Sequence, residues 1–215
     1  MKYLTRLLCV FALLVSVMSA ESLDETRKKA ENGDAFAQFA LGLMYDNGEG
    51  VPKNDAEAVK WYRKAADQGN ARAQSNLGLM YANGNGVPKD SAEAVKWWRK
   101  AADQGDAFPQ FNLGNMYRKG DGVPKDSAEA VKWYRKAAEQ GDAEARNNLG
   151  VMYYSGDGVP KDLVQAHVWF NIAGAAGHEN SKKNLAIVEK EMTPDQKAEA
   201  MKLARELFAK LPKQK

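Results

Sequence analysis

The chain has 215 residues, of which 44% are hydrophobic and 27% are charged. This composition is typical of a globular protein and excludes a disordered or fibrous chain. The formal net charge is +3, and it falls to +1 when Lys2 and Arg6 are left out. A charge so close to balance gives no general reason to expect a nucleic-acid partner.

The first 20 residues differ in composition from the rest of the chain. Lys2 and Arg6 precede an apolar run from Leu7 to Met18, which is followed by the small residues Ser19 and Ala20. This order predicts a signal peptide over residues 1–20 that is cleaved after Ala20. The predicted product is a periplasmic or secreted protein without stable membrane insertion. The alternative is a retained N-terminal anchor, although about 12 apolar residues are too few to span a bilayer comfortably.

The only cysteine, Cys9, lies inside this apolar run. A chain cleaved after Ala20 therefore contains no cysteine, and we expect no disulfide in it.

Landmark residues recur at intervals of 36 residues through four copies. Each copy has one glycine, one tyrosine, one proline and one tryptophan in fixed register: Gly42, Gly78, Gly114 and Gly150; Tyr45, Tyr81, Tyr117 and Tyr153; Pro52, Pro88, Pro124 and Pro160; Trp61, Trp97, Trp133 and Trp169. A fixed period of this length is the signature of a repeat architecture. We place four repeats at residues 34–69, 70–105, 106–141 and 142–177.

Each repeat is predicted to form two helices. In the first copy, Ala35 to about Asp46 has apolar residues at helical spacing, with Asp34 placed as the N-cap. Before the second helix, Asn54 precedes Glu57 by three residues, a spacing that resembles a capping box. The glycine inside the first helix, Gly42 and its equivalents, costs about 1 kcal/mol against alanine. We therefore expect Trp and Tyr rings of a second helix to pack against bare backbone there.

The flanking segments are predicted to cap the array. Residues 21–33 align with a second helix, and residues 178–215 align with a degenerate helix pair whose last helix has Thr193 as N-cap and Pro194 at its first position. The residues predicted to be buried in that helix are Ala198, Met201, Leu203, Ala204, Leu207 and Phe208. Atypical terminal units close the exposed core of a solenoid.

A longer pattern of small, aromatic and turn residues runs through every copy. In copy two it comprises Ala71, Ala73, Gln74, Leu77, Gly78, Tyr81, Gly84, Gly86, Val87, Pro88, Asp90, Ala94, Trp97, Trp98, Lys100, Ala101, Ala102 and Gly105. This pattern resembles the Sel1-like repeat, a relative of the tetratricopeptide repeat, over about residues 22–210. The resemblance implies an all-α, right-handed α-solenoid of antiparallel helix pairs that serves as an adaptor. One secreted bacterial branch, to which β-lactam-directed activity is ascribed, has a cysteine pair in each repeat. This sequence lacks those cysteines, so we do not carry the activity over.

The residues that vary between copies lie on one stripe of the first helices, which line the concave surface of tetratricopeptide-like arrays. We predict that this stripe binds a partner through Phe36, Phe39 and Leu43; Arg72, Ser75 and Leu79; Phe108, Phe111, Asn115 and Arg118; and Glu144, Asn147, Val151 and Tyr154. The alternative is that Phe36 and Phe108 pack between neighbouring first helices.

Two further sets of residues leave alternatives open. Asn76, Asn112 and Asn148 form an asparagine ladder beside the stripe, either to hold a ligand backbone through their amides or to bond one repeat to the next. A basic ridge of Lys60, Arg63, Lys64 and their counterparts up to Lys136 is interpreted as a solvated helix face, with an acidic glycan or lipid surface as the alternative.

The sequence contains no recognisable catalytic motif, and we expect no catalytic residue, metal site or cofactor. His167 takes the place of a repeated valine and His178 that of a repeated N-cap, so both are interpreted as structural. The predicted function is an exported scaffold that binds a protein or peptide in its concave groove. The alternatives are an envelope glycan binder, a host-facing virulence-type adaptor and, least favoured, a β-lactam or glycan hydrolase.

Overall fold

A computed structural model describes residues 23–211, so the predicted signal peptide and the tail 212–215 lie outside the described residues. Every regular element within 23–211 is a helix, which confirms the all-α class. The helices are α1 (residues 23–31), α2 (Ala35–Asn47), α3 (Asp55–Asp67), α4 (Ala71–Asn83), α5 (Ser91–Asp103), α6 (Ala107–Lys119), α7 (Ser127–Glu139), α8 (Ala143–Ser155), α9 (Leu163–Ala175), α10 (Glu179–Glu191) and α11 (Pro194–Lys210). None of these helices is both long enough and apolar enough to cross a membrane.

The chain divides into two compact units, one up to Asp90 and one from Ser91. In the first unit α2 packs against α3, and α3 against α4. In the second unit each helix from α5 to α9 packs against the next in order, and α11 packs against α9. Each unit thus consists of helix pairs stacked in sequence, as expected of a solenoid.

The first helix of each repeat begins at its predicted N-cap. The side chains of Asp34, Asn70 and Asp142 accept the backbone N–H three residues on, whereas Asp106 accepts that of Phe108. Each helix then ends at a left-handed glycine whose N–H donates to a methionine carbonyl one turn back, which is the αL cap. Pro109 lies in the first turn of α6, where a missing N–H breaks no helical bond, and the helix runs on past it.

The predicted capping box of the second helices is only half formed. Asn54 accepts the backbone N–H groups of Ala56 and Glu57, but the N–H of Asn54 donates to the carbonyl of Tyr45 at 2.8 Å. Because that N–H already has a partner, the Glu57 side chain has no donor to reach back to. It pairs with Lys60 at 3.2 Å instead, and the glutamates of the next two repeats make the same pairing.

The mid-helix glycines lie against rings of the second helix, as predicted. A Cβ placed on Gly114 would be 2.5 Å from the Tyr134 ring, and one on Gly42 would be 2.5 Å from Tyr62. In the fourth repeat Gly150 faces Phe170 at 2.6 Å. These distances are about 1 Å shorter than an ordinary carbon–carbon contact, so only glycine permits this helix separation.

The last helix buries fewer residues than the sequence predicted. Ala204 is buried and Leu203 and Leu207 are half-buried, but Ala198, Met201 and Phe208 are exposed, the last by 58%. This part of the prediction is wrong because α11 packs mainly on the single helix α9, which covers only a narrow stripe of it. Thr193 and Gln196 form a complete capping box, so the predicted start of α11 is confirmed.

Candidate binding surface of the first helices

The stripe predicted from the sequence lies on the surface of the first helices, which are α2 and α4 in the first unit and α6 and α8 in the second. Within each unit, we call the solvent side of these helices, with α10 added in the second unit, the first-helix face. Its exposed stripe residues are Phe36, Arg72, Leu79, Phe108, Arg118, Glu144 and Val151. The half-buried ones are Phe39, Leu43, Phe111, Asn115 and Tyr154.

Two stripe residues are buried and offer no surface to a partner. Ser75 is 5% exposed and Asn147 is 9% exposed. The side-chain oxygen of Asn147 accepts the hydroxyl of Ser181 and the amide of Asn184, both at 3.0 Å. Asn147 therefore joins α8 to α10, and we remove both residues from the candidate surface.

Exposed large apolar side chains are concentrated on the first-helix face. Of the seven among the described residues, five lie on α2, α4, α6, α8 and α10 and the other two lie on α11. The five are Phe36, Leu79, Phe108, Val151 and Ile187, with exposures from 38% to 79%. The second helices of the four repeats carry none in this part of the chain, so the apolar exposure is not a general property of the surface.

Phenylalanines on the face divide into packing and exposed residues. The rings of Phe39 and Phe111 lie 5.9 and 6.1 Å from those of Tyr62 and Tyr134 in the second helix of the same repeat. Phe36 remains 79% exposed and Phe108 44% exposed. Packing between first helices therefore does not account for these last two side chains.

Tyrosine hydroxyls that lie beneath the face bond polar residues of the first helices. The Tyr134 hydroxyl donates to Asn115 at 2.8 Å and accepts from Arg118 at 3.2 Å. In the first repeat the Tyr62 hydroxyl donates to Asp46 at 3.1 Å. Burial is the main cause that raises the pKa of both tyrosines above the ordinary value, so both remain neutral donors at physiological pH.

The asparagine ladder takes part in these same networks. Asn76 of the second repeat bonds the Tyr62 hydroxyl of the first, and Asn148 of the fourth bonds the Tyr134 hydroxyl of the third. Asn112 donates to the carbonyl of Phe108 in its own helix at 3.0 Å. These contacts favour the structural alternative for the ladder, because the amides are already occupied in joining repeats or in their own helix.

A cleft on the face was not predicted from the sequence. It lies between α8 and α10, has a volume of about 170 Å³, and is lined by Val151, Tyr154, Phe170, Asn184 and Ile187. We call it the α8–α10 cleft. Asn184 and Ile187 follow Asn148 and Val151 by 36 residues, so the repeat period could have located both residues in the degenerate pair.

The basic ridge is held by aromatic rings and carboxylates. The ammonium groups of Lys64, Lys100 and Lys136 lie 4.0–4.1 Å from the centroids of the tryptophan rings three residues earlier. The arginines of the ridge donate to tyrosine hydroxyls of the following repeat: Arg63 to Tyr81, Arg99 to Tyr117 and Arg135 to Tyr153. These contacts favour the interpretation of the ridge as a helix face whose cations stabilise the repeat stack.

Both histidines join the fourth repeat to the C-terminal pair. His167 is 1% exposed, with Nε2 3.1 Å from Glu189 of α10. His178 is the N-cap of α10, and its Nδ1 accepts the backbone N–H of Ser181 at 3.1 Å. Its Nε2 lies 3.0 Å from Glu144. The structural interpretation of both residues fits these contacts.

Ser181, His178 and Glu144 contact one another in series and have the residue types of a hydrolytic triad, but they do not have its chemistry. The Ser181 hydroxyl is 2.9 Å from Nδ1 of His178, yet Ser181 is fully buried. A buried hydroxyl cannot reach a substrate, and the histidine nitrogen already accepts a backbone N–H. Within residues 23–211, no group of three or more His, Cys, Asp or Glu side chains is arranged to hold a metal ion.

The helix pairs, their fixed internal contacts and the variable outer face define an all-α repeat solenoid. The family model of the Sel1 repeat matches residues 35–70, 71–106, 110–142 and 143–178, which start one residue after the predicted repeats except for the third, which starts four after. The chain belongs to the Sel1 repeat family. Proteins of this family generally act as protein–protein interaction scaffolds, and their fold is typically non-catalytic.

Two solved structures are similar over most of the chain. One is a protective antigen present in uropathogenic Escherichia coli strains and displaying an SLR fold, with 42% identity and a TM-score of 0.79 over 89% of this chain and 41% of that one. The other is a Sel1 repeat protein from Oxalobacter formigenes, with 37% identity and a TM-score of 0.71 over 80% of this chain and 74% of that one. This chain therefore spans less than half of the E. coli protein. A comparison with curated proteins gave no match.

Proposed function

We propose that this chain is an exported scaffold that binds a protein or peptide on its first-helix face. The observation that carries the proposal is the restriction of exposed large apolar side chains to that face and to α11 among the described residues. Beneath the face, the backbone is fixed by ring-to-glycine packing and tyrosine networks. A rigid framework loses little entropy when it binds, so exposed anchors on it can contribute directly to affinity.

The composition of the face supports a protein partner over a glycan or nucleic acid. Phe36 in the first unit and Phe108 in the second supply exposed aromatic anchors, and Arg72 and Arg118 supply exposed cations on the face of the same units. Aromatic residues and arginine are the types enriched at protein-binding hot spots. The face also carries the exposed apolar residues Leu79, Val151 and Ile187 among polar ones, which matches the mixed character of a non-obligate interface.

Affinity capture with matched variants tests this proposal. The bait is the protein purified from cells that express the full chain, compared with a face variant, Phe36→Ser with Phe108→Ser. The control variant carries Asp67→Ser with Asp103→Ser, two exposed changes on second helices. We expect a partner, identified by mass spectrometry and then purified, to bind wild type and control and to lose at least tenfold in affinity for the face variant. Equal binding to all three proteins would place the interface elsewhere.

Export is the second part of the proposal and rests on the order of charges and apolar residues in residues 1–20. N-terminal sequencing of the protein recovered from the cell envelope and from the medium tests it. The expected first residue is Glu21. Recovery of only the intact chain from the cytoplasmic fraction would refute export.

A host-facing adaptor is the second candidate. It is favoured by the similarity to the E. coli protein described as a protective antigen, although this chain spans only 41% of that protein. Protease treatment of intact cells distinguishes the two placements. A host-facing protein would be digested or found in the medium, whereas a periplasmic protein would be protected until the outer barrier is opened.

A further inference from the structure

The fourth repeat differs from the first and third at the tip of its buried ring. Phe170 stands where Tyr62 and Tyr134 stand, and it has no hydroxyl to bond residues of the face. In the third repeat that hydroxyl holds Asn115 and Arg118, and the asparagine of the next repeat also bonds it. The fourth repeat cannot form this network.

The asparagine that would complete the network has a different partner here. Asn184 occupies the ladder position of the C-terminal pair, and its amide donates to Asn147 at 3.0 Å instead. The Tyr154 hydroxyl donates to Glu191, the last residue of α10. The α8–α10 cleft lies among these side chains, with Phe170 as one of its walls.

The size and lining of the cleft define what can enter it. Its volume of about 170 Å³ is below the 300–1,000 Å³ typical of sites for drug-sized ligands and cofactors. The apolar walls are Phe170, Val151 and Ile187, and the last two are 40% and 49% exposed at the surface. A space of this kind suits one apolar side chain that projects from a larger partner.

The charges around the cleft indicate the chemistry of that partner. Lys183 and Lys190 lie four residues before and three residues after Ile187, so they share its side of α10. Both are exposed, and neither forms a close ion pair within residues 23–211, although Lys183 has a longer-range electrostatic interaction with Glu179, which is itself paired with Lys182. The nearby carboxylate of Glu191 is already bonded by Tyr154 and by Lys161 at 3.3 Å. The charge left free beside the cleft is therefore positive.

We infer that the α8–α10 cleft binds one apolar side chain of a peptide segment whose flanking residues are acidic. The inference rests on the proposed function of the first-helix face and names the partner at one end of it. The apolar side chain packs on Phe170 between Val151 and Ile187. The acidic residues on either side of it pair with Lys183 and Lys190.

A random dodecapeptide library displayed on phage, selected on the purified full-chain protein, tests this inference. Selected peptides are synthesised with a fluorescent label, and their affinities are measured by anisotropy. The key variant is Phe170→Tyr, which restores the residue of the first and third repeats and is therefore compatible with the fold. Phe208→Tyr makes the same chemical change on exposed α11 and is the control. A Lys183→Glu, Lys190→Glu variant tests the charge.

We expect the selected peptides to share one large apolar residue flanked by Asp or Glu. Phe170→Tyr should weaken binding about tenfold or more by placing a hydroxyl in the cleft. Phe208→Tyr should leave affinity unchanged, and the lysine reversal should abolish the preference for acidic peptides. Added salt should weaken binding to the wild type.

Three results would overturn the inference. Peptides that bind Phe170→Tyr as tightly as wild type, or that lack acidic residues, would show that the cleft is not the site. If such peptides are still lost with Phe36→Ser and Phe108→Ser, the proposed function stands and only the cleft assignment fails. Failure to enrich any peptide above an empty support would refute the cleft, and the capture experiment then decides the proposed function separately.

Discussion

Two helical glycines of the second unit offer opposite tests of the packing. Gly114 lies in α6 against a ring. Gly174 lies in α9 beside Lys182, whose flexible side chain would be 3.2 Å from an added Cβ and whose backbone nitrogen would be at the ordinary distance of 3.7 Å. Neither has a positive φ. Replacing either by alanine therefore gains helix propensity, up to about 1 kcal/mol. Only the environment of the new methyl group differs.

For Gly114→Ala the methyl carbon would lie 2.5 and 2.6 Å from two carbons of Tyr134. The ring cannot swing away, because Tyr134 is fully buried and its hydroxyl is bonded to Asn115 and Arg118. Overpacking of this kind costs about 1–3 kcal/mol, and an anchored ring places the cost in the upper part of that range. After the propensity gain, we expect Gly114→Ala to destabilise the protein by about 1–2 kcal/mol.

Gly174→Ala is expected to stabilise the protein by about 0.5–1 kcal/mol. Residue 174 corresponds to alanines in the other three copies, so the change restores the pattern of the repeats. Urea unfolding followed by far-ultraviolet circular dichroism and by tryptophan fluorescence measures both variants, since two probes reveal any loss of two-state behaviour. Shifts of both midpoints in the same direction would refute the argument that the ring contact requires glycine.

Gly150→Ala is the intermediate case and links packing to the cleft. Its methyl group would lie 2.6 Å from Phe170, but that ring has no hydroxyl to hold it and borders open space. We expect a smaller destabilisation than for Gly114→Ala, since the ring can tilt into the cleft. Equal losses in the two variants would show that the Phe170 ring is as firmly held as that of Tyr134.

Three further predictions follow from local contacts. In urea unfolding, Gly122→Ala should lower the free energy of unfolding clearly more than Gly105→Ala. Both glycines have positive φ, but only Gly122 lies against the backbone of the preceding repeat. His178→Ala should lower the free energy of unfolding by about 1 kcal/mol, because the N-cap of α10 is missing. His178→Asn should lower it less, because asparagine also caps. Equal losses in the two variants would exclude the capping role. The pKa of Glu191 is lowered below 4.5, mainly by the Tyr154 hydroxyl and then by Lys161. The resulting stabilisation of the folded state is present above pH 4.5 and is lost as the pH falls through the lowered pKa. Tyr154→Phe should raise this pKa in a carbon-detected NMR titration, and an unchanged value would remove the hydrogen bond as its cause.

The sequence predicted the helices well because their limits depend on local chemistry. N-cap residues, left-handed glycines and the spacing of apolar residues act within one or two turns, and all of them repeat every 36 residues. The prediction failed where a distant group intervened. The half-formed box at Asn54 results from the carbonyl of Tyr45, nine residues earlier, which no spacing rule anticipates.

The candidate surface was predicted in outline and missed in detail. Exposure of Phe36, Leu79 and Val151 follows from helical geometry, but the burial of Asn147 depends on α10 lying over it. The cleft is lined by Phe170, which lacks the hydroxyl of Tyr62 and Tyr134. The change from tyrosine to phenylalanine was visible in the alignment of the copies, yet its consequence required knowing which side chains that hydroxyl bonds in the other repeats.

The unusual residues of the fourth repeat are concentrated inside it as well as on its face. Arg146 replaces the glutamine of the other copies but keeps its bond, since Nε donates to the carbonyl of Ala138 at 2.9 Å. Burial lowers the pKa of Arg146, and His167 brings a second polar group into the same repeat. Buried polar groups of this kind cost stability unless they are satisfied. Their position fits a repeat that packs against a degenerate helix pair and not against a further copy. The same junction produces the α8–α10 cleft, so the end of the array is where this chain differs most from a uniform solenoid and where specificity for its partner is expected to lie.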